Sequence, residues 1–176
     1  MTVPLLGQIS TMSLWAVYSL GGFSRFGTAP VSGAWTTANK ALFWPFILPV
    51  EFFLGTLWWL NGGTSNGNVD MGIYDDRFHR VISTGSTAQG TINVVQSVAV
   101  GPVLLLPGNY YFALALSSAT ATIFGLSGSL SNVSNTDYQG IFEQATAFPL
   151  PDPAVPAKCS SIFGLDLCGA WEAGVY

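Results

Sequence analysis

The sequence predicts an all-β protein, an antiparallel β-sandwich of the jelly-roll type with extended arms at both ends of the chain. Between residues 41 and 126, apolar and polar residues alternate in a series of short runs rich in β-branched and aromatic side chains. Gly, Asn, Pro and Asp separate these runs at the short intervals that are typical of sandwiches. The other polar residues are mostly Ser, Thr, Asn and Gly, which suit strands and turns better than solvated helices.

The first two strands are predicted in the most apolar segment, residues 41–60. Its length matches a transmembrane helix. Pro45 and Pro49 would break such a helix. The prediction is therefore two strands, residues 42–48 and 50–60, joined at Pro49, and no membrane span.

The remaining strands follow in order along the chain. In residues 68–74 polar and apolar positions alternate, which places Val69, Met71 and Ile73 on the buried face of a half-buried strand. A polar loop is predicted at residues 85–90. Further strands are predicted at residues 78–84, 92–100, 110–116 and 120–126.

Composition divides the chain into three parts. Residues 1–37 are rich in Gly, Ser, Thr and aromatic residues without a sustained period, and they are predicted to be an N-terminal arm. Residues 38–126 form the sandwich core. Residues 127–176 form a C-terminal extension with a proline-rich run, strands added to the core and a short helix from Thr136 to Ala145, where apolar residues have helical spacing.

The chain carries very little charge. Five Lys or Arg and nine Asp or Glu make up 8% of the residues, against about one quarter in typical soluble domains, while 49% of the residues are apolar. Such a surface predicts burial against partners, and a homo-oligomer is expected, with a trimer as the favoured state. A net charge of −4 with scattered basic residues argues against nucleic acid as a partner. The first residues lack the basic region of a secretory signal, so synthesis in a cytoplasm is expected.

Catalytic patterns are weak, and the protein is not predicted to be an enzyme. The single histidine, His79, is expected in an exposed turn, without a serine or cysteine nucleophile nearby. Asp70, Asp75 and Asp76 are the nearest approach to a pair of acid and base carboxylates, but turn formation explains the last two. No phosphate-binding glycine motif is present, and no cofactor is expected.

Metal-site patterns are also incomplete. Asn66, Asn68 and Asp70 imitate the start of a calcium loop without its later glutamate, which leaves a structural Ca²⁺ as an open alternative. Cys159 and Cys168 cannot complete a zinc site by themselves. They are expected to be two buried thiols in a reducing cytoplasm, or alternatively a disulfide that forms after release from the cell.

The aromatic residues are the best candidates for a binding surface. Adjacent side chains on a strand face opposite sides of the sheet, so one member of each aromatic pair must be covered by something other than the main core. Such a ring could anchor a subunit interface, which is the favoured interpretation, or stack on a sugar. The candidates are Trp15, Trp35, Trp58, Trp59, Tyr110 and Tyr111.

Several separated blocks carry a resemblance to a known family. They are residues 38–41, 59–62, 67–75, 83–89, 107–111 and 144–150. In these blocks the chain resembles a family of structural proteins encoded by tailed phages. The resemblance covers roughly residues 35–167 and implies a β-sandwich component of the virion, on the capsid surface or on a tail appendage, with no catalytic residues to carry over.

The function expected from these observations is mechanical. A non-enzymatic capsid decoration or cement protein would stabilise the particle through oligomeric contacts with itself and with other virion proteins such as the major capsid protein. Its location would be the exterior of the virion, after synthesis in the host cytoplasm. The alternative is a tail or fibre appendage module that binds host surface glycans.

Overall fold

The computed structural model describes residues 30–126, 141–159 and 168–173, and every regular element in these ranges is a β-strand. The strands are β1 (Pro30–Ala34), β2 (Ala41–Leu48), β3 (Phe52–Leu60), β4 (Asn68–Asp75), β5 (Arg80–Ser83), β6 (Thr87–Ala88), β7 (Val95–Leu105), β8 (Gly108–Leu116), β9 (Thr122–Leu126), β10 (Phe142–Gln144), β11 (Ala157–Lys158) and β12 (Cys168–Glu172).

The strands pair antiparallel in three sheets. The large sheet has the order β11-β10-β2-β8-β4-β5, and β6 also pairs with β4. The small sheet has the order β12-β3-β7, and β1 and β9 form a two-stranded ribbon. The predicted all-β, antiparallel, sandwich-like fold is confirmed, while the jelly-roll connectivity stays a prediction. The segment of transmembrane length forms β2 and β3, on either side of Pro49, as predicted.

The main hydrophobic core lies between the large and small sheets. Alternation along β2 directs Trp44, Phe46 and Leu48 into this core, and alternation along β3 does the same for Leu57 and Trp59. β4 and β8 add their own alternate apolar residues. Two sheets that each bury one apolar face against the other are the basis of a sandwich.

A second hydrophobic cluster lies on the outer face of the large sheet. Phe43 and Tyr74 point to this side from β2 and β4, and the proline-rich segment 147–154 covers them with Ala147, Leu150 and Ala154. β8 contributes Ala113 and Ala115 to this cluster, and Tyr111 of the same strand packs against it opposite Tyr74. The two small alanine side chains allow the covering segment to approach the sheet closely. The described part of the proline-rich run is thus packed on the sheet.

This cover corrects the prediction of a half-buried β4. Val69, Met71 and Ile73 face the main core as predicted. Asp70 and Tyr74, on the opposite face, are equally buried. Sequence alternation indicates a solvent face only when no distant segment covers it, and here one does.

Two local predictions are wrong. Residues 142–144, placed in a helix by their spacing, form the short strand β10 that pairs with β2, and Ala145 lies in a turn. Residues 136–140 of that predicted helix lie outside the described ranges. The polar loop 85–90 contains β6, which pairs with the start of β4. Tertiary pairing along an open strand edge overrides weak local spacing in short segments.

Residues 30–35 pack as part of the sandwich, although they fall within the segment predicted as an arm. β1 pairs with β9 over its whole length. Trp35 lies in the main core, and its Nε1 donates a hydrogen bond to the carbonyl oxygen of Lys40 at 3.0 Å. These contacts tie the start of the described chain to the sandwich.

Candidate functional site

Among the tryptophans proposed as interface residues, two lie in the main core. Trp59 is fully buried, and its Nε1 donates to Oδ1 of Asn61 at 2.9 Å. Trp35 is buried in the same core. Trp15 lies outside the described ranges. Because the indoles of Trp35 and Trp59 are both buried, neither is accessible to a partner protein.

Trp58 lies on the outer face of the small sheet. As predicted for adjacent residues on a strand, its side chain points away from that of Trp59. Its cover is Trp171 of β12, whose ring stacks on it with centroids 5.8 Å apart and planes 24° from parallel. This pair fixes β12 on β3, so the ring that required a cover receives it from the same chain.

The two adjacent tyrosines also separate to opposite faces. Tyr110 stacks on Phe46 at 5.7 Å, and its hydroxyl donates to the carbonyl oxygen of Leu106. Tyr111 lies on the outer face and stacks on Phe78 at 4.5 Å. Burial, followed by the nearby negative charge of Asp76, raises the pKa of the Tyr111 hydroxyl. Tyr111 is therefore neutral at physiological pH and can donate or accept a hydrogen bond.

Two turns lie side by side at one end of the sandwich. The β2–β3 turn follows Leu48, which pairs with Gly108, and it ends at Phe52, which pairs with Leu105. The β7–β8 turn lies between Leu105 and Gly108, which are the partners of Phe52 and Leu48. The pairing therefore brings the short, apolar connections of both sheets together.

This end of the sandwich carries large exposed apolar side chains, which we call the apolar end. It comprises Val50, Phe53, Leu104 and Leu106, with exposed fractions of 36%, 47%, 45% and 58%. Phe53 and Leu104 are a directly opposed cross-strand pair on the outer face of the small sheet. Glu51, in the β2–β3 turn, is the charged residue within this group. Clustered exposed apolar residues are typical of surfaces that bind another protein.

The charged side chains lie mainly elsewhere. Residues 81–136 contain no Asp, Glu, Lys, Arg or His, and this run includes all of β7 and the β7–β8 turn. Charges gather instead around the β4–β5 turn. There Oδ1 of Asp75 accepts hydrogen bonds from the backbone N–H groups of Arg77 and His79. His79 is exposed in this turn, as predicted, with Nδ1 3.7 Å from Oδ1 of Asp152.

Asp70 holds the proline-rich segment on the outer face of the large sheet. Its Oδ2 accepts a hydrogen bond from the backbone N–H of Leu150 at 2.9 Å, and Thr84 Oγ1 lies 3.4 Å from Oδ1. Arg80 donates to the carbonyl oxygen of Leu150, and the Tyr74 hydroxyl donates to that of Pro151. Burial raises the pKa of the Asp70 carboxyl, although the hydrogen bonds from Leu150 and Thr84 act in the opposite direction. These contacts have a structural purpose, since they dock one segment on a sheet.

The carboxamides of the candidate calcium pattern have other partners. Asn66 Nδ2 donates to Thr120, Asn68 Nδ2 donates to Ser86, and Asp70 lies beneath Leu150. Within residues 30–126, 141–159 and 168–173, no group of three His, Cys, Asp or Glu is placed to hold a metal ion.

The two cysteines lie next to or in strands of different sheets. Cys159 follows β11 and is buried in the main core, with Sγ donating to Oε2 of Glu143 at 3.3 Å. Glu143 also forms an ion pair with Lys40, at 2.9 Å. Cys168, predicted to be buried, begins β12 opposite Trp59 and is only partly buried against the same core. A disulfide between the cysteines stays a prediction.

An open cleft of about 410 Å³ lies near the apolar end, on the outer face of the large sheet. Pro45 and Tyr111 are directly opposed across β2 and β8, and Ile47 and Asn109 are the next outward-facing pair. Asp76 stands at the side, just beyond β4. Ile47 is 68% exposed. Sequence reasoning found Tyr111 but not its neighbours, because their proximity depends on strand register.

The chain was compared with protein-family models, with curated proteins and with solved structures, and none of them matches it. In the described part of the chain, no helix has the length and apolar character needed to cross a bilayer.

Proposed function

We propose that this protein is a non-enzymatic structural component of a tailed-phage particle, a decoration protein that binds neighbouring subunits through its apolar end. The observation that carries the proposal is the clustering of Val50, Phe53, Leu104 and Leu106 at two paired turns. The phage assignment comes from the sequence resemblance alone. The assembly role comes from the surface.

Several features of the apolar end favour a protein partner. It is formed by short turns and a regular strand pair, so it is preorganised and loses little conformational entropy on binding. β7 carries no charge, although edge strands usually carry charges that prevent association with other strands. In the small sheet β7 pairs with β3 on one side only, within the described residues. The surface therefore lacks the usual features that keep a β-protein monomeric.

The contribution of this surface can be put in numbers. Full burial of a large apolar side chain contributes about 1.5–3 kcal/mol. Phe53 and Leu104 are each roughly half exposed, so covering the remainder would contribute about 1 kcal/mol per residue. Loss of both side chains should then weaken each subunit contact by about 2 kcal/mol, or about thirtyfold in affinity.

The test is the copy number of the protein in purified particles, measured by quantitative mass spectrometry against the major capsid protein. A decoration protein should be present in fixed proportion to the major capsid protein. Particles assembled with the double variant Phe53→Ser, Leu104→Ser should lose the protein during purification, whereas Val155→Ser, at a strongly exposed residue elsewhere, should be retained. Retention of the double variant at full copy number would refute binding through the apolar end.

A tail appendage is the second candidate location. The same experiment separates the two locations, because an appendage protein would be present in only a few copies per particle. A low, fixed copy number together with loss of the double variant would keep the assembly role and move it from the head to the tail.

A further inference from the structure

We propose that the cleft between β2 and β8 binds the pyranose ring of a neutral carbohydrate. The lining of the cleft includes Pro45, Ile47, Asn109, Tyr111 and Asp76. This inference goes beyond the assembly function and does not depend on it, since the cleft faces outward from the large sheet and the assembly surface belongs mainly to the small sheet and the turns.

The floor of the cleft is apolar. Tyr111 and Pro45 lie opposite each other in the β2–β8 register, and Ile47 continues the surface towards the end of the sheet. Phe78 stacks on the Tyr111 ring and Phe142 meets it nearly at a right angle, with centroids 5.8 Å apart, so the tyrosine ring is held in place. A rigid aromatic ring next to aliphatic side chains is suited to contact the C–H groups of a sugar ring.

The rim of the cleft supplies hydrogen-bonding groups of the kind that hydroxyl groups require. The carboxylate of Asp76 accepts hydrogen bonds, the carboxamide of Asn109 both donates and accepts, and the neutral Tyr111 hydroxyl can do either. Asp76 and Asn109 are exposed, so they are accessible to a ligand from solvent.

Other ligand classes fit this set of groups less well. A purely apolar ligand would remove water from Asp76 and Asn109 without replacing their hydrogen bonds, which is unfavourable. An anionic ligand would meet the negative charge of Asp76, with Asp75 adjacent in the chain. A neutral, polyhydroxylated ring satisfies both the apolar floor and the polar rim.

The size of a single sugar ring sets the expected affinity. A single hexose has about a dozen non-hydrogen atoms. If each atom contributes the binding free energy that is typical of an atom in a drug-sized ligand, the dissociation constant of the hexose is about 1 mM. A cleft that is open to solvent is compatible with one residue of a longer chain. A polysaccharide that offers many such residues would bind a multivalent particle more tightly through avidity.

The test uses the full-length protein with labelled isoleucine methyl groups, titrated with the methyl glycosides of glucose, galactose, mannose and N-acetylglucosamine. At least one glycoside should shift the Ile47 methyl resonance saturably in nuclear magnetic resonance spectra. Ile92 is also exposed, but it precedes the first residue of β7, whereas the cleft lies near the turn that follows the last residue of β7. The Ile92 methyl resonance should therefore not shift. The titration is then repeated with oligosaccharides of the same sugar. Tighter binding of the oligosaccharide than of the single glycoside indicates a site for a polymer, and equal binding indicates a site for the free sugar.

Two variants separate a specific site from nonspecific contact. Asp76→Ala and Asn109→Ala remove exposed rim groups and should leave folding intact, while each weakens binding about tenfold. Thermal unfolding of both variants checks that the fold is retained. The absence of a saturable Ile47 shift with all four glycosides, or an unchanged shift in both variants, would overturn the proposal. Loss of the apolar end by Phe53→Ser, Leu104→Ser should leave sugar binding unchanged, so the two proposals fail independently.

Discussion

The buried carboxyl of Asp70 gives the most detailed prediction about stability. Its Oδ2 accepts the backbone N–H of Leu150 and so holds the proline-rich segment on the large sheet. In Asp70→Ala that buried N–H loses its acceptor, which should lower the free energy of unfolding by about 1–3 kcal/mol. For a chain of this length the melting temperature should fall by about 2–4 °C for each kcal/mol lost.

Asp70→Asn should behave differently, because the asparagine carbonyl still accepts the Leu150 N–H while no charge is buried. The pKa of Asp70 is raised in the folded state, so between pH 3.8 and that raised value the folded protein binds more protons than the unfolded chain. The contribution of Asp70 to stability is therefore fully present below pH 3.8 and is lost as pH rises through the folded-state pKa. The stability of Asp70→Asn relative to the wild type should increase over the same interval.

The assay is urea denaturation of the wild type and both variants across a pH series, with amide hydrogen exchange at Leu150 as a local readout. Asp76→Asn removes one exposed negative charge from the neighbouring turn and serves as the control for net charge. Faster exchange at Leu150 is expected in Asp70→Ala and not in Asp70→Asn. Equal stability of the two Asp70 variants at every pH would refute this account of the docked segment.

Two further substitutions test the packing of the small sheet. Trp171→Ala should expose Trp58 to solvent and shift the fluorescence of Trp58 to longer wavelength. It should also lower the free energy of unfolding, measured by denaturant titration, by about 1–2 kcal/mol. An unchanged emission wavelength would contradict the stacked arrangement. Gly101→Ala would place a Cβ 1.9 Å from the carbonyl oxygen of Leu54, so the free energy of unfolding should fall by about 2 kcal/mol or more, measured by thermal unfolding. Gly33→Ala is the control, because a Cβ there meets no neighbouring atom, and it should lower the free energy of unfolding by less than about 1 kcal/mol. Equal effects of the two alanines would contradict the close contact.

The strands were predictable because alternation is a local signal. Val69, Met71 and Ile73 were assigned to the core from their spacing alone, and the structure places them there. The opposite orientations of Trp58 and Trp59 followed from the same periodicity. These predictions needed no knowledge of which strands are neighbours.

The errors came from long-range contacts. Asp70 is buried by Leu150, eighty residues away in sequence, and alternation within β4 carries no information about that cover. Phe142 has the spacing of a helical residue, but pairing with Phe43 makes it part of a strand. The burial of one residue by another far along the chain is set by topology, which a single sequence does not show directly.

The exposed apolar surface was only partly predictable. Scarcity of charge directed attention to the aromatic residues, but Trp35, Trp58 and Trp59 are covered within the chain. The exposed apolar side chains at the apolar end are Val50, Phe53, Leu104 and Leu106. The uncharged run 81–136 was the sequence signal closest to this result. Its meaning depends on the two turns being adjacent in space.

Sedimentation velocity over a wide concentration range measures whether the apolar end binds other subunits. The wild type should sediment as an oligomer whose population rises with concentration, and Phe53→Ser, Leu104→Ser should shift the midpoint to about thirtyfold higher concentration without loss of folding. A wild-type protein that remains monomeric at every concentration, or a double variant that assembles as well as the wild type, would contradict binding through the apolar end.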